Sequence, residues 1–439
     1  MKRLYILLAI FFATFPLFAQ PREFVEVKGT HFYIDGKPYY FLGTNLWYGC
    51  MLGQSGETGD RKRLRAELDH LKQLGINNLR VMGASEGLGL QGQIKPAIQP
   101  RPGEYDEALL VGLDFLLAEM AKRKMYAVVF LNNYWEWTGG MSQYMCWVTG
   151  EEYPDPLNPK FGYRALMLCS GRFYTNAEAN ALYRNYLRTI INRKNTINGR
   201  VYKDDPTIMA WQLGNEPRPN PEEQNREQHF QEFIQWVDQT AGYLKSLDPN
   251  HLVCTGNEGL AGSLWSEACY KQSHQSKYID YLTFHLWILN WSWYDPLKPE
   301  ETYPEAEKKA LNYLQQHIAF AQELGKPVTL EEFGIPRDRH DYSPHAPTTY
   351  RDRYYTVLFE AMYQSAKSGS PMAGCNFWTW GGKGKARDQT TFIWQEGDSY
   401  TGDPPQEPQG RNSVFASDKS TLKIIRKYAR LMKQLGGDH

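Results

Sequence analysis

IMAWQLGNE, residues 208–216, is an almost unbroken apolar run that ends in an amide and a carboxylate. A strand covered on both faces has this composition, because each face meets apolar neighbours, whereas a half-exposed strand alternates. Runs of the same form recur at 39–47, 77–83, 126–134, 252–258, 281–287, 327–334 and 372–380, making eight in all. Between most of them lie amphipathic stretches, at 60–74, 105–123, 177–192, 227–247, 304–324, 349–368 and 419–435. Only the gap after the fifth run, 260–277, is loosely periodic. This alternation predicts an α/β fold, a (β/α)8 TIM barrel, with a doubly wound open sheet as the alternative. No G-x-G-x-x-G or Walker sequence follows a strand, so nothing in the chain asks for a nucleotide.

Upstream of the first run, FVEVKGTHFYIDGKPYY alternates around Lys28-Gly29 and Asp35-Gly36, which predicts a short N-terminal β-hairpin ahead of the barrel. Earlier still, Lys2-Arg3, an apolar stretch to Leu17 and then Phe18-Ala19-Gln20 read as a signal peptide over 1–19. The apolar stretch is too short for a membrane span and is broken by Pro16. The expectation is an exported protein, secreted, periplasmic or at the cell surface, with 20–439 as a single catalytic domain. No linker divides that span. The Pro- and Gly-rich piece 397–410 reads as a long loop over the active face, and the two long insertions 148–174 and 383–412 are expected to close one end of an open cleft.

The 439 residues are 42% hydrophobic and 22% charged, the balance of a chain that buries a core. Lys plus Arg and Asp plus Glu are each 49, so the electrostatic footprint of a nucleic-acid or polybasic membrane binder is missing. A neutral ligand is expected. Aromatic residues make up 14% of the chain, with 13 Trp, and flat polarised rings are what sugar faces stack on. Most of these rings must nevertheless be core, as expected for Trp211 and Trp236; His70, His251 and His317 read as surface residues. The six cysteines are widely spaced, with no zinc-type pattern. Cys146 and Cys169, flanking one insertion, are the best-placed disulfide pair.

In a barrel of this kind chemistry gathers where strands run into their following loops. That end carries Asn45 and Trp47, Arg80, Asn132 and Asn133, Asn215 and Glu216, Glu258, His285 and Trp287, Glu331 and Glu332, Trp378 and Trp380. Two carboxyls from the fourth and seventh strands can face each other across the mouth, and a separation of about 5 to 5.5 Å is what retaining glycoside hydrolysis needs. Of the adjacent Glu331 and Glu332 only one can point into the mouth, and alternation alone does not say which.

With these residues in place, the chain resembles glycoside hydrolase family 5, and within it the β-mannanase subfamily 7 with its exo-acting β-mannosidase relatives. The resemblance runs through LNNYWEWTGGMSQYMCW (131–147), RKNTINGRVYKDDPTIMAWQLGNEPRP (193–219), HLVCTGNEG (251–259), His285-x-Trp287 with Trp291, KPVTLEEFG (326–334) and GCNFWTW (374–380). It implies a (β/α)8 barrel and a retaining enzyme with no metal and no cofactor. Residue by residue, it implies Glu216 as acid/base and Glu332 as nucleophile. Arg80 falls beside the nucleophile, Asn215 at the sugar 2-hydroxyl, and Trp378 on the floor of the subsite where mannose is cleaved. Trp47, Asn133, Trp135, Glu258, His285, Trp287 and Trp291 complete the expected substrate-binding set. Two departures stand out: Trp287 replaces a family Tyr, giving a bulkier ring with only an N–H donor, and Trp135 and Trp137 compete for one stacking role.

The implied activity is that of an endo-β-1,4-mannanase on mannan, glucomannan or galactomannan. The alternative is an exo-acting β-mannosidase or mannobiohydrolase on manno-oligosaccharides, and more distant readings are a non-catalytic mannan-binding protein or a β-glucan hydrolase. Nothing in the sequence specifies an oligomeric state.

Overall fold

The computed structural model describes residues 23–56, 58–343, 345–387 and 393–436. The 1–19 segment read as an export signal lies outside the described residues. The chain opens with a three-stranded antiparallel sheet of β1 (Glu26–Lys28), β2 (His31–Ile34) and β3 (Lys37–Pro38). The expected hairpin is therefore extended by a third, two-residue strand across the Asp35-Gly36 turn.

Eight parallel strands follow: β4 (Phe41–Asn45), β5 (Asn78–Met82), β6 (Tyr126–Phe130), β7 (Ile208–Gln212), β8 (Leu252–Cys254), β9 (Leu282–Leu286), β10 (Val328–Phe333) and β11 (Met372–Phe377). Their order, β8-β7-β6-β5-β4-β11-β10-β9, is that of a (β/α)8 barrel with one seam between β8 and β9. The seam is bridged by Asp280 N–H to Val253 O (2.8 Å) and His285 N–H to Glu258 O (3.2 Å). Every residue of these strands is buried, as their apolar runs require.

The helices are α1 (Gly49–Gly53), α2 (Arg61–Leu74), α3 (Glu107–Lys122), α4 (Gly140–Thr149), α5 (Tyr163–Arg172), α6 (Ala177–Ile191), α7 (Arg226–Leu247), α8 (Glu267–Gln275), α9 (Pro299–Leu324), α10 (Thr349–Lys367) and α11 (Lys419–Gly436). Their apolar stripes pack on the strands; α2 is capped by the Asp60 side chain at its start and by left-handed Gly75 at its end. The loosely periodic segment after the fifth strand yields only the nine-residue α8.

At the opposite end of the barrel from the strand C-termini, Phe32 and Ile34 of the N-terminal sheet join Phe41, Tyr126, Met209 and Leu252 in a separate apolar cluster. The small sheet is thus a plug under the barrel, and it leaves the other end for chemistry. Trp211 and Trp236 are core, as expected. His251 and His317 are not on the surface: His251 bridges Asp248 Oδ2 (2.6 Å) and Asp205 O (2.9 Å), and His317 stacks on Phe284 with centroids 4.6 Å apart. Polar ring nitrogens satisfied by nearby backbone and carboxylate let both rings serve as core. Cys146 and Cys169 are brought together from α4 and α5 as free, buried thiols.

Candidate active site

Glu216 follows β7 and sits in the left-handed region, φ 51°, where a side chain is disfavoured. Its N–H is fixed on Gly256 O (2.9 Å). That turn lifts the carboxylate off the strand line and into the barrel mouth. Glu332 lies near the end of β10, where the ladder to β9 shifts register between Leu330 and Glu332. The irregularity separates the directions of the two adjacent glutamates. Glu332 faces the pocket, whereas Glu331 accepts from Gln212 Nε2 (2.6 Å) inside the barrel.

One oxygen of Glu216, one of Glu332 and one nitrogen of His285 lie within 4.8 Å of one another. His285 Nδ1 is 2.6 Å from Glu216 Oε1 and 3.4 Å from Glu332 Oε2. Arg80 donates from Nη1 to Glu332 Oε1, from Nη2 to Asn215 Oδ1 (2.7 Å), and from Nε to Gln212 Oε1 (2.8 Å). Trp135 donates its indole N–H to the second Glu216 oxygen.

Both carboxyls are buried, and like charges this close favour one shared proton. Around Glu332, burial and the Glu216 charge push the carboxyl up while Arg80 pulls it down. Around Glu216, burial is outweighed by His285, Arg218 and Trp135, which hold it down to about 2. Burial lowers His285 to about 4, leaving a neutral imidazole at neutral pH. Among the described residues this trio is the one carboxylate–imidazole group close enough to share a metal ion. The guanidinium against Glu332 opposes a second positive charge there.

A cavity of about 320 Å³ opens over the trio, small for a ligand pocket. Its wall includes the expected Trp135, Asn215, Glu258, Trp287, Trp291 and Trp378 together with both carboxylates. Trp378 and Trp287 pack edge-on, 6.3 Å between centroids. Glu258 is paired with Arg218 and accepts from Trp291 Nε1 (3.2 Å); burial raises it to about 8 despite Arg218.

Four expected substrate contacts lie behind that wall. Trp47 is buried and gives its indole N–H to Gly402 O, so it holds a loop. Arg80 is spent on Glu332, Asn215 and Gln212. Asn133 accepts from Trp135 N–H (3.0 Å) and Asn215 Nδ2 (3.1 Å), orienting both. His285 is fully buried beneath the carboxylates.

The family described as GH family 5 beta-mannosidase-like matches residues 22–436. The chain belongs to it. This GH family 5 chain is 30% identical to mannan endo-1,4-beta-mannosidase 1 of Arabidopsis thaliana over 92% of its length and 91% of that protein's. It is similar to a GH family 5 mannosidase structure from Rhizomucor miehei (36% identity, TM-score 0.85, 94% of this chain and 98% of that one). It is also similar to an endo-beta-1,4-mannanase structure from Thermotoga petrophila (25% identity, TM-score 0.65, 91% and 78%).

Sequence reasoning missed several wall residues of this GH family 5 site. Arg218, directly after the N-E-P run, stacks its guanidinium on Trp135 at 4.7 Å. Tyr163, Gln406 and Glu407 come from the two long insertions, and Glu136 from the turn after β6 that also carries Trp135. Tyr163 Oη donates to Glu136 Oε1 (3.0 Å), and burial raises both Glu136 and Glu407 to about 7. The N-E-P-R run could have pointed to Arg218; the insertion residues belong to no periodic pattern.

Proposed function

We propose that the chain hydrolyses β-1,4-mannosidic linkages of mannan, glucomannan, galactomannan or their oligosaccharides with retention of configuration, Glu216 being the acid/base and Glu332 the nucleophile. The observation that carries this reading is the close approach of Glu216 and Glu332 at the pocket floor, the range for covalent attack on a sugar carbon. The glycosidic oxygen is a pure acceptor and favours the protonated form of Glu216, while Arg80 and the positive charge developing on the sugar favour ionised Glu332. Glu216 gives its proton to the leaving oxygen as Glu332 Oε bonds to the anomeric carbon. Glu216, now a carboxylate, takes a proton from water as that water displaces Glu332. Asn215, fixed by Arg80 and Asn133, faces the sugar beside the acid.

Plant relatives carry endo-acting names, and attack within the chain is the first reading. One specific observation favours a second, attack from a chain end. The two insertions meet over one side of the pocket, with Tyr163, bonded to Glu136, from one and Gln406 and Glu407 from the other. Asp403 clamps the second insertion through Gly410 N–H (2.8 Å), Asn412 N–H (2.9 Å) and Ser413 Oγ (2.6 Å). A wall so held would stop a sugar chain on that side, which supports attack from a chain end.

A mannohexaose time course tests both. A spread of internal products at early times supports endo action, mannose or mannobiose from one end supports exo action, and no hydrolysis removes the proposal. We further infer that residues 1–19 direct export; amino-terminal sequencing of the mature protein that starts within 1–19 would contradict this.

A further inference from the structure

Trp265, on the turn between β8 and α8, is 56% exposed, although a large ring gains by burial. Its backbone is unfavourable too. Leu264 and Trp265 are consecutive non-glycine residues in the left-handed region, φ 52° and 63°, where Cβ crowds the backbone. The turn is nevertheless closed by Trp265 N–H to Leu260 O (2.7 Å) and Ser263 N–H to Gly259 O (3.0 Å). Strain spent on holding an aromatic ring more than half exposed is the pattern of a ligand contact.

The ring is not isolated. Its centroid lies 5.8 Å from that of Trp291 and 6.4 Å from that of Trp293, and those two are 4.9 Å apart. Trp291 is already part of the pocket wall. The three indoles therefore continue the wall outward from Glu258.

Barrel order sets the direction. The two insertions follow the third and eighth strands and meet over the second, where Leu157 of one and Gln406 of the other both lie against Gly92 in the loop after β5. The turns carrying Trp265 and Trp291 follow β8 and β9, the fifth and sixth strands, across the barrel from β4 and β5. A substrate whose one end meets the insertion wall leaves the pocket on the Trp265 side.

We propose that Trp265, continued from Trp291 and Trp293, is a stacking platform for the sugar units of the leaving group beyond the one next to the cleaved bond. The ligand is a β-linked manno-oligosaccharide chain, so the inference rests on the β-mannosidic reading above. Flat apolar sugar faces lie on such rings without hydrogen-bond readout, so the platform rewards chain length.

The test compares kcat/KM on mannobiose and mannotetraose for the wild type, Trp265→Gly and Trp265→Tyr. Glycine is the residue best suited to φ 63°, so Trp265→Gly should melt no lower than the wild type. Its mannotetraose-to-mannobiose ratio should nevertheless fall about 5- to 10-fold, through KM, as expected for loss of one stacking ring. Trp265→Tyr should recover most of the ratio. A Trp265→Gly ratio equal to that of the wild type, or a lowered melting point with equal loss on both substrates, overturns the platform and leaves the β-mannosidic reading standing. A wild type that hydrolyses neither substrate overturns both.

Discussion

Arg80 and Glu332 form a fully buried ion pair that joins the second strand of the barrel to the seventh. The same guanidinium holds Asn215, so one side chain fixes both the proposed nucleophile and the amide proposed to face the sugar. Breaking a buried pair by removing one partner is costly, because the remaining charge is left unpaired.

Arg80→Ala should therefore lower stability by about 3–5 kcal/mol and reduce kcat by at least about 100-fold, since nucleophile and amide both lose their support. Arg80→Lys should recover part of the stability and little of the rate, because an ammonium cannot bridge both partners in the guanidinium's fork geometry. Urea unfolding and steady-state kinetics on one preparation check both. A fully active Arg80→Ala would show that the pair is dispensable.

Trp135→Phe keeps a ring beneath Arg218 but removes the N–H that Glu216 accepts. A hydrogen bond to a charged group is worth about 1.5–3 kcal/mol, so Glu216 should become a weaker acid. The expected outcome is a larger rate loss on mannotriose, whose leaving group needs protonation, than on an aryl β-mannoside with an acidic phenol, which needs little. Equal losses on the two substrates would mean that Trp135 acts only through stacking.

Glu86 gives a pH dependence with a definite sign. It is buried, its Oε2 accepts from Gly140 N–H (3.0 Å), and burial raises its pKa from 4.5 to about 8 against that bond. A folded-state pKa above the unfolded one means that the folded state binds the proton more tightly. The contribution is complete below about pH 4.5 and is lost as pH rises through about 8. Wild-type stability relative to Glu86→Gln should accordingly fall across that window. Glu331 and Glu258 are raised in the same direction, so the difference between wild type and variant, followed by melting temperature, isolates Glu86. A difference that is flat with pH would show that Glu86 is ionised when folded.

Asp403→Ala removes the acceptor of two backbone N–H groups and one hydroxyl, and so loosens the insertion that carries Gln406 and Glu407. If that insertion forms the end wall of the pocket, internal products from mannohexaose should rise relative to end products. Product profiles by anion-exchange chromatography decide this; an unchanged profile with an unchanged melting point would separate the wall from specificity.

The barrel was legible because each strand carries its own signature, and IMAWQ at 208–212 is apolar whichever neighbours it meets. Helix limits were less so: α9 starts at Pro299, an ordinary first-turn proline, five residues before the expected start at Pro304. Glu216 and Glu332 could be named because strand ends and family motifs coincide there. Alternation alone left Glu331 and Glu332 equivalent and the family motif chose Glu332; the register shift in β10, which no periodicity announces, is the local geometry that separates the two. Trp47 was expected at the sugar because it ends a strand, but Gly402, far along the chain, claims its N–H. Tyr163 and Glu407 were invisible for the same reason, since only the meeting of two irregular insertions brings them to one pocket.

The central claim is that Glu332 attacks the sugar while Glu216 manages the proton. Incubation with a 2-deoxy-2-fluoro-β-mannosyl fluoride, which forms the glycosyl ester but turns it over slowly, followed by peptide mass spectrometry, tests it most directly. The account predicts one sugar per chain, carried by Glu332, and none on Glu332→Gln. Label on Glu331 or Glu216, or time-dependent turnover with inversion and no labelled peptide, would contradict it.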